Sequence, residues 1–153
     1  MDFQELINSQ GMYLASLIVG GVGGIIPLVN VELFLLAVIP LVNATSLLPI
    51  ALLAALGQMI AKYILYHTGI GFVALNKEKH RRRLQAAQEK IKKWQDKALS
   101  LVFFSSITGV PPFYAVSIAA GTLKLELLRF LALGMLGRSI RFVAIVYFVD
   151  WFF

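Results

Sequence analysis

The stretch Leu127–Val149 constrains this chain more than any other feature. At ~1.5 Å per residue a helix over it crosses the ~30 Å hydrocarbon core of a bilayer. A second stretch, Leu47–Leu75, is long enough to do the same. Such runs fold as helices in lipid, where each backbone N–H and C=O must find its partner inside the protein. The composition agrees. Hydrophobic residues make up 59% of the 153 before the 12 glycines are counted, and charged residues only 14%. Soluble domains hold ~45–50% apolar residues with glycine included and ~25% charged ones. A soluble globular domain, a disordered chain and a free nucleic-acid-binding domain are excluded.

The charge is concentrated in one place. Between Asn76 and Lys97 lie the basic residues Lys77, Lys79, Arg81, Arg82, Arg83, Lys90, Lys92, Lys93 and Lys97, against the acids Glu78, Glu89 and Asp96, and this excess is the whole net charge of +6. A basic block between apolar regions is placed in the cytoplasm by the positive-inside rule. Residues 76–98 are therefore expected on the cytoplasmic side. Leu84, Ala87, Ile91, Trp94 and Ala98 recur at spacings of three and four, which predicts an amphipathic helix from Lys79 to Ala98. Its cationic face suits anionic headgroups or a partner, or the helix docks on the protein's own membrane domain. No base-reading aromatic surface accompanies it, so no nucleic-acid partner is expected.

The chain has no cysteine, so disulfides, thiolate chemistry and cysteine metal sites are excluded. No Ser/His/Asp set, His-rich metal spacing or phosphate-binding Gly loop is present. The expectation is no enzyme, no cofactor and no metal. Met1-Asp2-Phe3-Gln4-Glu5 lacks a basic n-region, so no cleavable signal peptide is expected.

We read one membrane domain over 1–153. Residues 1–26 are an N-terminal helix, 27–46 a re-entrant hairpin, 47–75 a transmembrane helix, and 76–98 the basic amphipathic helix. A second re-entrant hairpin follows over 99–124, and a C-terminal transmembrane helix over 125–153. Pro27 opens the first hairpin, and Gly109, Pro111, Pro112 and Gly121 break the second. Broken backbone at membrane depth survives only when buried in protein or lining a wet cavity. The two halves share an order of break, hairpin and span. Leu53, Leu56, Gly57 and Ile60 coincide with Leu133, Leu136, Gly137 and Ile140 at an offset of 80. One span separates the hairpins, so they enter from opposite faces. The predicted fold is an all-α polytopic protein with an inverted repeat, the usual architecture of a secondary transporter with a site near the midplane.

Ionisable residues at membrane depth are functional candidates. Here they are Glu32, Lys62, Arg138 and Arg141, while Lys124, Glu126, Arg129 and Asp150 are placed at interfaces. Arg138 and Arg141 share a helix face. A carboxylate stays charged when it faces a guanidinium, so Glu32 is expected near Arg138 or Arg141. With Asn30 and Lys62 they form a candidate path for substrate or protons. A static ion pair that fixes the fold is the competing reading. Asn30 and Asn43 also suit satisfaction of hairpin backbone. Tyr63, Tyr66, Trp94, Tyr147 and Trp151 read as interface anchors, and Gln58, one turn from Lys62, as its neighbour. His67 is placed in interfacial packing.

These residues resemble a family. Val22-Gly23-Gly24-Ile25-Ile26-Pro27-Leu28-Val29-Asn30-Val31-Glu32-Leu33 looks like the first hairpin of the DedA superfamily, a Pro entry followed by a Glu. Ser105-Ser106-Ile107-Thr108-Gly109-Val110-Pro111-Pro112, with Ala119-Ala120-Gly121 and Phe130, resembles its second hairpin. Gly137-Arg138-Ser139-Ile140-Arg141-Phe142 is similar to the last helix of the small YqaA-like branch. The superfamily is also called the VTT-domain or SNARE-associated Golgi protein family. The resemblance implies lipid transport: flipping of undecaprenyl phosphate or phospholipid with coupling to protons, or scrambling. It places Glu32, and less directly Arg138 and Arg141, at functional positions. Larger members carry arginines around the second Pro motif. Ser106, Thr108 and Tyr114 stand there in this chain, a departure that bears on undecaprenyl phosphate as substrate.

The expected function is a membrane lipid flippase or scramblase, with membrane lipids as partners and a homodimer left open. A proton-coupled exporter of small cations and a non-transporting membrane scaffold are the alternatives. The arginine excess in the apolar segments disfavours a cation site.

Overall fold

The structure is a computed structural model. It describes the backbone of residues 3–75 and 78–152, and the side chains of residues 10–71 and 81–149. The described residues form helices α1 (Phe3–Ile25), α2 (Val31–Val38), α3 (Ala44–Leu75), α4 (Glu78–Lys93), α5 (Gln95–Thr108), α6 (Phe113–Thr122) and α7 (Leu127–Phe152), and no strand. A 3-10 turn over Ile39–Leu41 follows α2. Ala44–Gly71 and Leu127–Val149 are long and apolar enough to cross a membrane, with mean hydropathies of 1.8 and 1.6.

The chain forms two compact units. One comprises Met1–Ala61 with Arg138–Phe153, the other Lys62–Gly137. Both long helices, α3 and α7, divide between them.

In the first unit α1 lies close against α3. Side chains at Gly20 and Gly57 would overlap the carbonyls of Ala54 and Leu17, and one at Gly24 would overlap the Ala61 methyl. Small residues at such crossings let backbones approach and gain dispersion contact. Tyr13 donates to Ser46 Oγ at 3.3 Å across the same pair of helices. α1 ends at Ile25, before Pro27, which has no N–H to continue it. The chain turns through Ile26–Asn30 and restarts as α2. Val31, Leu35 and Val38 of α2, Leu47, Ile50, Ala51 and Ala54 of α3, and Phe142 and Val146 of α7 are buried.

The second unit follows the same order of helix, break, short helix and long helix. α5 ends on Gly109, whose φ of 79° is the left-handed conformation that glycine adopts without cost. Ser105 donates to the Pro111 carbonyl at 2.6 Å and ties the break to the helix before it. Gly137 of α7 receives Ser106 of α5, and side chains at Gly69 and Gly121 would overlap the backbone of Ile118 and Tyr66. Phe130 is fully buried, stacked on Tyr66 at 5.4 Å and near Phe113 at 6.1 Å.

Several expectations change. The amphipathic helix does not run unbroken from Lys79 to Ala98. The Trp94 amide bonds to the Ile91 carbonyl, three residues back, and this tight closure ends α4. Leu84, Ala87 and Ile91 do share a half-buried face, but Trp94 is 54% exposed at the bend, with Lys97 Nζ 3.9 Å from its ring centroid. α3 begins at Ala44, so three residues assigned to the first hairpin belong to the span. Gly121 does not break the second hairpin. α6 runs through it, and the glycine serves the close approach to Tyr66. Tyr66 is no interface anchor: it is buried and its hydroxyl bonds the Leu125 carbonyl. Tyr63 and Tyr147 are exposed, as anchors require. The side chains of Trp151 and Asp150 lie outside the described residues.

Candidate functional site

The site is built on the restart after the first break. Asn30 is the N-cap of α2, and its Oδ1 accepts from the amides of Glu32 and Leu33 at 2.9 and 3.2 Å. Two of the orphan donors at the helix start are thereby satisfied. The cap fixes where the first turn begins and so where Glu32 projects. A side chain at Gly23 would overlap that of Val31 and lie 2.8 Å from the Val29 carbonyl, so glycine lets the end of α1 pass close to the restart.

Glu32 meets Arg141 of α7. Nε and Nη2 of Arg141 both donate to Glu32 Oε1, at 2.7 and 2.6 Å. Charge-assisted bonds of this length are about twice as strong as neutral ones. The two side chains are 33% and 23% exposed, so the pair is covered but reachable. Arg138, one turn earlier on α7, is 8% exposed, with its guanidinium 5.9 Å from the Phe142 centroid. A cation over a ring gains ~0.5–2 kcal/mol, more as water is excluded. The arrangement holds two guanidiniums against one carboxylate. It can offer donors to a phosphate and a carboxylate to a proton or an ammonium.

The structure thus brings Glu32, Asn30, Arg138 and Arg141 into one unit. Lys62 lies in the other. It is buried, 3% exposed, with Nζ 5.7 Å from the Phe113 centroid. Pro27 lies in the first break, and Gly109, Pro111 and Pro112 in the second, where Pro112 is the N-cap of α6. His67 is exposed and packs edge-on against Tyr63 at 4.5 Å.

Sequence reading passed over Gln58 as a site residue. It is 7% exposed, and its Oε1 has no hydrogen-bond partner among the described residues. Its position after Gly57, matching Arg138 after Gly137, was the available signal. Among the described residues no group of three His, Cys, Asp or Glu is placed to hold a metal.

A family model, the VTT domain, matches residues 17–151. No curated protein and no solved structure matches the chain significantly.

Proposed function

Because the chain belongs to the VTT-domain family, the domain of the DedA and SNARE-associated Golgi proteins, we propose that it moves lipid headgroups across a membrane through the polar site on Glu32, Arg138 and Arg141. The family is membrane-associated and transporter-like by proposal. The observation that carries the reading is the Arg141–Glu32 pair on a helix restart beside a buried Arg138. A headgroup phosphate competes for the guanidiniums while Glu32 receives a proton or an ammonium. The acyl tails stay in lipid, so a groove suffices and no closed pore is required. The protein then works as a carrier or scramblase and performs no covalent chemistry.

Two features support an inverted repeat. The order helix, break, short helix, long helix recurs. Gly57 and Gly137, related by the offset of 80, each seat the helix that precedes a break, at Leu17 and at Ser106. In this reading the breaks are re-entrant and enter from opposite faces. α4 faces the cytoplasm of a prokaryotic inner membrane, and its cations rest on anionic headgroups.

The test is reconstitution. Purified protein is placed in phosphatidylcholine vesicles with a tail-labelled phospholipid, and outer-leaflet label is quenched. The expected result is quenching beyond the protein-free plateau. Quenching that stops at that plateau, for both phospholipid and polyprenyl phosphate, with and without an imposed proton gradient, overturns the proposal.

A further inference from the structure

A groove of about 360 Å³ lies in the second unit and takes no part in the site above. Asp96, Leu99, Ser100 and Phe103 of α5 line one wall, and Arg129 and Leu133 of α7 the other. Its polarity is graded. Asp96 and Arg129 sit in the first turns of their helices. Leu133 follows one turn further along α7, and Phe103 lies ~10 Å beyond Asp96 at ~1.5 Å per residue. The membrane-crossing stretch of α7 starts at Leu127. The charged end of the groove therefore meets the bilayer surface, and the apolar end lies within the acyl region.

The charges at the mouth select among ligands. Arg129 Nε pairs with Glu126 at 2.9 Å and Nη1 approaches Asp96 at 3.9 Å. The side chains of Arg129, Asp96 and Glu126 are 58%, 96% and 46% exposed. Exposed pairs of this kind contribute ~0–1 kcal/mol, so a ligand displaces them at little cost. Lys97, next in sequence, lies over the Trp94 ring and keeps its positive charge there. With Asp96 and Glu126 against Arg129 and Lys97, the mouth carries both signs and is neutral overall. A headgroup with a phosphate and an ammonium satisfies both signs.

We infer that this groove is a loading site for a zwitterionic aminophospholipid. Its phosphate sits on Arg129, its ammonium on Asp96, and its upper acyl carbons lie against Leu99, Phe103 and Leu133. The loading role rests on the transport reading, and it narrows the substrate from any lipid phosphate to aminophospholipids. The binding itself stands apart from transport.

Native mass spectrometry of the detergent-solubilised full chain, with phosphatidylethanolamine or phosphatidylglycerol added, tests it. Asp96→Asn is expected to lower retention of phosphatidylethanolamine about threefold, the worth of one exposed charge pair, and to leave phosphatidylglycerol, which α4 also attracts, unchanged. Arg129→Gln, and Leu133→Trp, which fills the groove, lower phosphatidylethanolamine retention as well. Wild-type retention in all three variants, or an equal fall of both lipids in Asp96→Asn, overturns the inference. Vesicle flux separates the two claims. If these effects persist where no flux is seen, the groove stands and transport fails. If flux depends on Glu32 while all three variants bind as wild type, transport stands and the groove fails.

Discussion

Glu32 and Arg141 sit 109 positions apart in the chain and meet through two hydrogen bonds to one oxygen. Replacing Glu32 by Gln keeps the shape and removes the charge, at a cost of ~1–2 kcal/mol in charge-assisted bonding. The exchange Glu32→Arg with Arg141→Glu is expected to restore thermal stability in detergent toward wild type, whereas either change alone lowers it. Equal loss in the single and double variants would show that the pair does not couple. The glycines give a second residue-scale test. Gly57→Val pushes a branched side chain into the Leu17 carbonyl and is expected to lower stability by more than the ~1–3 kcal/mol of ordinary overpacking. Gly11 has open space around it, so Gly11→Ala gains up to ~1 kcal/mol of helix propensity. A thermal melt that ranks these two variants the other way would contradict the helix contact. The pairing of Glu32 with an arginine was legible in the sequence, because a carboxylate in an apolar segment needs a cation. Which arginine was not, since Arg138 and Arg141 share a face. The burial of Tyr66 was not legible either: an interface tyrosine and a core tyrosine bonded to a carbonyl read alike until the Leu125 turn is placed.

At the scale of elements, caps and breaks decide the architecture. Pro27 and Gly109 were readable as breaks because each acts through its own backbone, and Asn30 as serving the hairpin backbone because its side-chain oxygen accepts from nearby amides. The break at Trp94 was not, since periodicity reports a face and is silent about a single tightened turn. Gly121 was misread for a similar reason, as glycine marks both breaks and close contacts. Ser105→Ala removes the bond that ties α5 to Pro111 and is expected to cost about 1 kcal/mol, measured as a lower unfolding midpoint. For α4, neutralising Arg81, Arg82 and Arg83 to Gln weakens attraction to an anionic surface by ~1 kcal/mol per charge. Amide exchange in α4 is therefore expected to slow in anionic vesicles for the wild type and not for this variant. Equal exchange rates in anionic and neutral vesicles would detach α4 from the headgroups.

At the scale of the whole molecule, two of the described helices reach across a bilayer's thickness, and a helix–break–helix motif precedes each in sequence. The all-helical class was legible from length and hydropathy. The sidedness of the breaks depends on lipid, which the chain's own packing does not encode. The chain has no cysteine, so single cysteines report cleanly. With inverted breaks, Asn43→Cys labels from outside intact cells and Lys124→Cys labels only after permeabilisation. Labelling of both from one side would remove the inversion. The central claim is that headgroups cross at Glu32, and its most direct measurement is phospholipid flux in vesicles holding wild-type or Glu32→Gln protein at matched helicity. The account predicts flux above the protein-free plateau for the wild type and a fall of about tenfold for Glu32→Gln, equivalent to ~1.4 kcal/mol of lost charge-assisted interaction. Wild-type flux in a folded Glu32→Gln protein would contradict it.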